Sequence, residues 1–348
     1  MAKKEQLGQY YTTNTRAVLM GLEDFIPSSS TIVDPFCGEW DLLKRVDNDT
    51  CIGYDVDPKT PQTLERNTLL NPPDYSKKWV LTNPPYLYKR KSKDKKIYEK
   101  YNVDDLYKAS LLSFTKKHHP KSNGCEGGVV IVPLNFICGN AENVRKEFFQ
   151  EFNVSQIVVH EQQVFDDTNY TVCVLAFERS KWQPETKFVF APEKETRSFK
   201  LLEEYGYQPG LEWHKIMSGK CVFDFDRISD NSDLSKEEVY FKLRAIDTGS
   251  KTGDINLQTK RGKEIHKDLK KSDRTFGVFE SLDFSHNECK EICKRFNSRL
   301  NRLRKKYKSL FLTTYRNSTE YRTRKRIGFS QAKNLMSHVA FEMSNSFW

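Results

Sequence analysis

The sequence predicts an α/β fold built on a doubly wound, mainly parallel sheet, with a smaller α+β domain after it. β-Prone runs such as Thr31–Val33 and Gly127–Pro133 alternate with stretches of helical spacing such as 103–118, as in chains that form parallel sheets. Two of the runs end in an acidic residue, Asp34 and Asp55. Ligands bind just beyond such strand ends in this fold class.

The alternating pattern stops near residue 180. The 348 residues are enough for two domains, and the change of pattern predicts them at 1–180 and 181–348. The first would carry the catalytic chemistry and the second would recognise a target.

Composition restricts the partners. A net charge of +10 and a pI near 9.0 favour an acidic partner, most commonly nucleic acid. There is no apolar run long enough for a transmembrane helix, and the first residues lack the apolar core of a signal peptide. The eight cysteines form no Cys-x-x-Cys, so neither a zinc site nor a disulfide framework is expected. A reducing, intracellular location follows.

The first predicted strand leads into Asp34-Pro35-Phe36-Cys37-Gly38 and then a predicted helix. Gly38 lets the backbone approach a ligand closely because it has no Cβ, and Asp34 can bind a cationic amino group or a hydroxyl. The second strand, 51–55, ends in Asp55, which is placed to accept hydrogen bonds from ribose hydroxyls. An ordinary strand–turn–helix connection is the alternative.

The most informative stretch is Asn83-Pro84-Pro85-Tyr86, which directly follows the apolar run 79–82. Two successive prolines make a stiff, extended corner. The Asn83 amide oxygen and the Pro84 carbonyl can accept both hydrogens of an exocyclic amine, and the Tyr86 ring can stack on the base that carries it. A rigid surface turn is the alternative, and the second such tripeptide, Asn71-Pro72-Pro73, is interpreted as a loop.

Asn-Pro-Pro-Tyr after a strand resembles the catalytic motif of S-adenosylmethionine-dependent amino-methyltransferases, most often DNA adenine-N6 enzymes. The motif order over residues 8–178 is similar to the gamma class and to modification enzymes of type II restriction systems. The resemblance implies the Rossmann-like class I methyltransferase fold and S-adenosylmethionine as cofactor. The chain departs from the family at Trp40, where a second glycine is usual.

The resemblance also implies roles for single residues. Val56 would pack on the cofactor adenine, and Asn67 would bind its amine unless it only ends a helix. Phe165, with Tyr170 as second choice, would pack on the target base, although a core position is an equal alternative. The implied cofactor-binding residues are Tyr11, Thr12, Asp34, Pro35, Phe36, Cys37, Gly38, Asp55, Val56, Asn67 and Asn83.

Two basic regions predict contact with nucleic acid. Residues 88–96 hold six Lys or Arg against one acid beside the proline corner, and Lys89, Arg90 and Lys91 would contact phosphates. Between 290 and 326 there are fourteen Lys or Arg against two acids, typical of a target-recognition domain. The residues expected to bind DNA there are Arg316, Arg322, Arg324, Lys325 and Arg326.

The expected function is site-specific transfer of a methyl group to adenine N6 in double-stranded DNA, without a metal and with a cognate restriction endonuclease as a partner. Two kinds of alternative remain open. One is the same chemistry on cytosine N4, RNA adenine or a protein glutamine. The other is a nucleic-acid-binding protein that does not bind the cofactor, which measurement of S-adenosylmethionine binding would distinguish.

Overall fold

The computed structural model divides the chain into two compact units, Met1–Tyr207 and Gln208–Trp348. Each is described separately below. The residues described are 14–46, 50–118, 123–162, 164–165, 171–247, 254–265, 269, 273–314 and 324–345.

The first unit is built on a mixed sheet that has nine strands in the described part of the chain. Their order across the sheet is β3-β2-β1-β4-β5-β7-β6-β8-β9. Neighbouring strands among β1 to β5 pair in parallel. Strand β7 runs antiparallel to β5 and β6, and β9 runs antiparallel to β8. The strands are β1 Thr31–Asp34, β2 Cys51–Asp55, β3 Leu64–Glu65, β4 Lys78–Thr82, β5 Gly127–Pro133, β6 Asn153–His160, β7 Val172–Glu178, β8 Glu185–Ala191 and β9 Glu195–Lys200.

This topology confirms the predicted fold class. Strand order reverses between β1 and β4, because the chain first runs outwards through β2 and β3 and then returns to the other side of β1. Such a reversal leaves a crevice at the carboxyl ends of the two central strands. Every residue of β5 is buried, as expected for a strand covered on both faces.

Short helices connect the strands. The predicted helix within 103–118 is present as Leu106–Ser113. The helices of this unit are α1 Thr15–Leu19, α2 Lys96–Tyr101, α3 Leu106–Ser113, α4 Asn135–Cys138 and α5 Glu142–Glu151, with single 3₁₀ turns at Leu22–Phe25, Leu43–Arg45, Lys89–Lys91 and Glu203–Tyr205.

The sequence predicts a helix after β1 and another after β2, where Asp57-Pro58 would form its cap; both predictions were wrong. After β1, residues 35–46 contain a single 3₁₀ turn, Leu43–Arg45, because Trp40 adopts a positive φ of 67° that interrupts a helix. After β2, residues 56–63 are bends and turns. The Asp55 carboxylate accepts the Asp57 N–H there, forming a local turn in place of a helix cap.

The predicted boundary at residue 180 falls too early in the chain. Strand β8 pairs in parallel with β6, and β9 pairs antiparallel with β8. Phe188 and Phe190 of β8 are buried, so these strands complete the first sheet, and the compact unit ends only at Tyr207.

The second unit combines an antiparallel sheet with two long helices. The sheet has the order β10-β13-β11-β12. Its elements are α6 Leu211–Ser218, β10 Asp226–Ile228, β11 Val239–Arg244, β12 Asn256–Arg261, β13 Phe276–Glu280, α7 His286–Tyr307, β14 Thr313–Thr314, β15 Lys325–Arg326 and α8 Phe329–Asn345, with 3₁₀ turns at Asn231–Asp233 and Gly262–Glu264.

The stretch Ser285-His286-Asn287-Glu288 has the pattern of a helix start, and the apolar residues from Cys289 to Tyr307 have helical spacing. Helix α7 begins at the predicted place. Ser285 accepts the N–H of Glu288, and the Glu288 carboxylate accepts the N–H of Ser285, which satisfies two donors at the helix start. The predicted apolar stripe from Cys289 to Tyr307 is buried. The stripe therefore faces the core of this unit.

A buried ion pair joins α7 to the β11–β12 region. The Arg304 guanidinium donates to both carboxylate oxygens of Asp247, at 3.0 and 2.8 Å, and Asp247 also accepts the N–H groups of Asp254 and Lys325. Burial alone would raise the pKa of Asp247, but hydrogen bonds and charge from Arg304 hold it below its usual range. The carboxylate is therefore charged at neutral pH.

Replacing Asp247 by Asn should lower the free energy of unfolding by about 3 kcal/mol, because it leaves the Arg304 charge buried without its partner. A lowered pKa means that this contribution is present at neutral pH and is lost as the pH falls through the native pKa. Urea denaturation at neutral and acidic pH measures both effects. Glu237→Gln removes the partner of the exposed Lys263 and should change stability little; equal effects of the two substitutions would contradict the assignment.

Candidate active site

A cavity lies at the carboxyl ends of β1, β2 and β4, where the strand order reverses. Its wall combines acidic, amide and apolar side chains. The lining residues are Asp34, Pro35, Phe36, Cys37, Gly38, Glu39, Asp41, Leu42, Asp55, Val56, Arg66, Asn67, Thr68, Leu69, Asn83, Pro85, Ile97 and Leu106.

Asp34 is the most deeply buried acid of this cavity, with 1% of its surface exposed. Its Oδ1 accepts hydrogen bonds from Thr82 Oγ1 at 2.5 Å and from Phe36 N at 3.0 Å. Burial raises the pKa of Asp34 to about 7, although both hydrogen bonds oppose the shift. The carboxyl thus titrates near neutrality and would gain from a cationic ligand group.

The turn after β1 is fastened to the end of β2. Cys37 N donates to the Tyr54 carbonyl at 2.9 Å, and Gly38 N donates to Asp55 Oδ2 at 3.0 Å. Gly38 has a φ of 50°, a conformation that glycine adopts without strain. Burial raises the pKa of Asp55 above its ordinary value. The two acids predicted from the sequence are therefore held on one wall by backbone N–H groups.

Trp40, which replaces a usual glycine, points away from this cavity. It has the left-handed φ that glycine favours, and its indole Nε1 donates to Thr63 Oγ1 at 2.8 Å. The ring covers Gly53 of β2, where an added Cβ would lie 2.8 Å from it. The substitution therefore keeps the turn conformation and places the bulky ring outside the cavity.

Asn67 also lines the cavity, two residues after β3. Its Oδ1 accepts the Leu70 N–H at 3.0 Å, so the side chain shapes the following turn. Thr68 Oγ1 donates to the Pro35 carbonyl at 3.0 Å, which joins this loop to the turn after β1. Val56, which follows Asp55, lines the cavity and is 46% exposed, so its apolar surface is available to a ligand.

The proline corner places Asn83 and Pro85 on the cavity wall, whereas Pro84 and Tyr86 are buried and do not line it. Tyr86 is 3% exposed, and its ring packs edge-on against Tyr107. The Tyr86 hydroxyl oxygen lies 2.6 Å from the Asn83 side-chain amide and 3.0 Å from the Ile131 carbonyl oxygen. The aromatic face expected to stack on a base is thus covered in this structure.

The remaining predicted residues of the first unit differ in accessibility. Phe165 is 1% exposed and lies outside the cavity wall, which corresponds to its alternative as a core residue. Tyr11, Thr12 and Tyr170 lie outside the described residues. Their assignments stay predictions.

The basic loop after the corner has a defined conformation. Lys89–Lys91 form a 3₁₀ turn, and Lys89 N donates to the Asp104 carbonyl. Arg90 and Lys91 are exposed, and the Arg90 guanidinium lies over the Tyr88 ring. The loop leads directly into α2 and α3, which supply Ile97 and Leu106 to the cavity wall, so these cations lie beside it.

The basic residues predicted in the second unit are largely engaged within it. Lys325 is 4% exposed, and its Nζ donates to Thr314 Oγ1 at 3.1 Å. Arg299 pairs with Glu342, and Arg302 with Glu212. Arg324 and Arg326 are partly exposed, whereas Arg316 and Arg322 lie outside the described residues.

Several residues in or next to the cavity were not predicted from the sequence. Thr82 contacts Asp34, and Arg66, Ile97 and Leu106 line the wall. Thr82 could have been found as the polar end of an apolar strand. Ile97 and Leu106 had no such signal, because they reach the cavity only through the folding of the basic loop.

None of the helices in the described ranges is long and apolar enough to span a membrane. In the same ranges, no three His, Cys, Asp or Glu side chains cluster as a metal site would require. All eight cysteines are free thiols.

Residues 50–205 match the model of the N-6 DNA Methylase family. No curated protein matches the chain.

Several solved structures are similar to the chain. The chain is 17% identical to a modification subunit of a type I restriction enzyme from Vibrio vulnificus YJ016, over 77% of this chain and 60% of that one, with a TM-score of 0.43. It is 19% identical to the methyltransferase subunit of a type I restriction-modification system from Streptococcus thermophilus, over 54% of this chain and 48% of that one, with a TM-score of 0.41. It is 9% identical to the Type IIL restriction-modification enzyme MmeI, whose structure is in complex with DNA, over 99% of this chain and 68% of that one, with a TM-score of 0.51.

The chain spans less than two thirds of the length of the two type I subunits, and the 9% identity to MmeI indicates a common fold only. The family match is more specific, because its 156 residues include the acid at the end of β2 and the whole proline corner. The chain therefore shares its fold with MmeI, and its segment 50–205 is similar to N-6 DNA methylases, a family whose cofactor is S-adenosylmethionine.

Proposed function

We propose that this protein is a site-specific DNA methyltransferase of a restriction-modification system that methylates the N6 amine of an adenine turned out of the duplex. The observation that carries the proposal is the position of the Asn83 amide on the wall of a cavity that also contains Asp34 and Asp55. The N-6 DNA Methylase match supports adenine N6 as the acceptor. The restriction-modification enzymes among its structural neighbours support that biological setting.

The cavity fits S-adenosylmethionine by the chemistry of its wall. A buried carboxyl at Asp34 suits the ammonium of the methionine part, and Asp55 suits ribose hydroxyls. Exposed Val56 offers an apolar surface for the purine ring, and a Cβ-free Gly38 leaves room for close approach. When bound, the cofactor supplies a methyl carbon on a sulfonium, and transfer forms an N–C bond, breaks the C–S bond and releases one amine proton.

Residues of this chain would prepare the amine for that transfer. The lone pair of an aromatic amine is delocalised into the ring, which makes the nitrogen a poor nucleophile. Hydrogen bonds from the amine to Asn83 Oδ1 and the Pro84 carbonyl would draw the nitrogen towards a tetrahedral geometry and localise that pair. Two rigid prolines hold the acceptors in place, so most of the benefit is orientation.

The DNA would be positioned by charge. Arg90 and Lys91 project from a fixed turn beside the cavity, where phosphates flanking a displaced base would lie, and such contacts orient a duplex without reading its sequence. The second unit would recognise the target sequence, with Arg324 and Arg326 as candidate contacts. A cognate restriction endonuclease is the expected partner.

The first prediction concerns Asn83. Asn83→Ala should abolish methyl transfer, because one of the two amine acceptors is lost, while binding of S-adenosylmethionine and DNA persists. Radiolabelled methyl transfer to plasmid DNA measures the rate, and single-molecule sequencing identifies the modified base. The matched control is Asn71→Ala in the other Asn-Pro-Pro, whose side chain is exposed in a loop and should leave the rate unchanged. Full activity of Asn83→Ala, or modified cytosines, would contradict the proposal.

The second prediction concerns pH. Because the pKa of Asp34 is raised to about 7, affinity for the cationic cofactor should fall as the pH is lowered from about 8 to about 6, approaching tenfold per pH unit below the pKa. Isothermal titration across this range measures it. Asp34→Asn should bind more weakly with a flatter pH profile. An equally steep profile in that variant would assign the titration to another group.

The third prediction concerns the basic loop. Replacing Arg90 and Lys91 together by Ala should weaken DNA binding and reduce the slope of log affinity against log salt by about 2, because two phosphate contacts are lost. Cofactor binding should not change. Lys187→Ala with Lys200→Ala removes the same charge at exposed positions of β8 and β9 and serves as the control. If both pairs change the slope equally, general charge rather than this loop binds DNA.

A further inference from the structure

Asp34 and Thr82 are the last residues of β1 and β4, the two strands between which the strand order reverses. The strands pair in parallel, so both residues lie at the end of the sheet that carries the cavity. Thr82 is fully buried, and its Oγ1 donates to Asp34 Oδ1 at 2.5 Å. Within the described part of the chain the Thr82 hydroxyl makes no second hydrogen bond. Its hydrogen is therefore committed to Asp34.

Two donors meet at the same oxygen of Asp34. Besides Thr82, Phe36 N donates to Oδ1 at 3.0 Å. Among the described residues none donates to Oδ2, although Asp34 lines the cavity. Each carboxylate oxygen has two acceptor positions, and both positions of Oδ1 are occupied. A proton or a donor group of a ligand must therefore bind at Oδ2.

The Thr82 hydroxyl favours the charged form of Asp34. A hydrogen bond to a carboxylate is stronger than one to a neutral carboxyl group, so this donor lowers the pKa of Asp34. Burial acts in the opposite direction and is the larger effect, so the pKa is raised to about 7. Because the carboxyl is only partly charged near neutral pH, the loss of one donor would change its charged fraction severalfold.

We propose that Thr82 is a positioning residue for the cofactor, whose hydroxyl occupies Asp34 Oδ1, stabilises the carboxylate and leaves Oδ2 for the ammonium group of S-adenosylmethionine. The inference rests on the proposed function, in which Asp34 binds that ammonium. A proton and the ammonium compete for Oδ2, and the Thr82 hydroxyl shifts this competition towards the ammonium. The end of β4 would thus serve both substrates, with Thr82 acting on the cofactor acid and Asn83 on the target amine.

The test measures S-adenosylmethionine binding by isothermal titration from pH 6 to pH 8. Thr82→Val keeps the shape of the side chain but removes the hydroxyl, and Phe36 N still holds the carboxyl group. Loss of one hydrogen bond to a charged group should move the midpoint of the affinity profile up by about one pH unit. Relative to the wild type, affinity should fall about ninefold at pH 6, about fivefold at pH 7 and less than about twofold at pH 8.

Two further variants separate this effect from a merely structural one. Thr82→Ser keeps a hydroxyl and should bind like the wild type. Thr186→Val removes another fully buried hydroxyl of the same sheet, which donates to the Val154 carbonyl at 2.9 Å, and should leave the profile unchanged. A loss in Thr82→Val that is equal at every pH, or the same loss in Thr186→Val, overturns the inference.

Other charged or titratable groups share the cavity with Asp34. They are Cys37, Glu39, Asp41, Asp55 and Arg66. The charge of Asp55 contributes to the raised pKa of Asp34. Burial, together with the charge of Asp34, raises the pKa of the Cys37 thiol to about 12, so the thiol stays neutral from pH 6 to pH 8. The variants leave all five groups in place, so a difference between two profiles reports Asp34.

A second measurement needs no cofactor. In protein labelled with ¹³C at the aspartate carboxyl carbons, the Asp34 signal is identified by its absence in Asp34→Asn. Its titration midpoint should lie about one pH unit higher in Thr82→Val than in the wild type and in Thr82→Ser. Equal midpoints overturn the inference. If the midpoints differ as expected but the wild type binds no S-adenosylmethionine, the proposed function fails while the effect of Thr82 on the charge of Asp34 stands.

Discussion

Two adjacent prolines that cannot donate hydrogen bonds are the constraint on which the site depends. They end β4 beside β1, at the place where the strand order reverses, and force the chain out of the sheet in a fixed direction. The carbonyl of Ile131 on the neighbouring strand then takes its hydrogen from the Tyr86 side chain. One local feature therefore determines where β4 ends, what Tyr86 bonds to and which side chain faces the cavity.

The two buried acids of the cavity lie at the same carboxyl ends of the strands as the proline corner. Asp34 and Asp55 end two adjacent parallel strands, and each is held by main-chain N–H groups from the turns that follow. Burial raises the pKa of both carboxyls, which costs stability when they ionise. Such buried acids are typical of sites that bind a ligand with complementary donors. A cationic cofactor would stabilise the ionised form of Asp34 that burial disfavours.

In the second unit, a sequence rich in Lys and Arg does not by itself form a basic surface that could bind DNA. Several cations of α7 pair with acids far away in sequence, such as Arg304 with Asp247 and Arg302 with Glu212. Counting charges along the chain identifies none of these pairs. The exposed loop beside the proline corner is therefore the better-supported candidate for the proposed DNA contact.

The sequence by itself determined the fold class, the strands β1, β2, β4 and β5, the capped helix α7 and the acids and amide of the site, because periodicity, caps and proline geometry act over a few residues. It did not determine the end of the first unit, since β8 and β9 join their sheet through pairing that neighbouring residues do not encode. Nor did it determine that Trp40 points outwards, that Thr82 binds Asp34, or that Tyr86 and Phe165 are buried. These depend on which side chains meet across strands far apart in sequence, and only packing in the folded chain decides that.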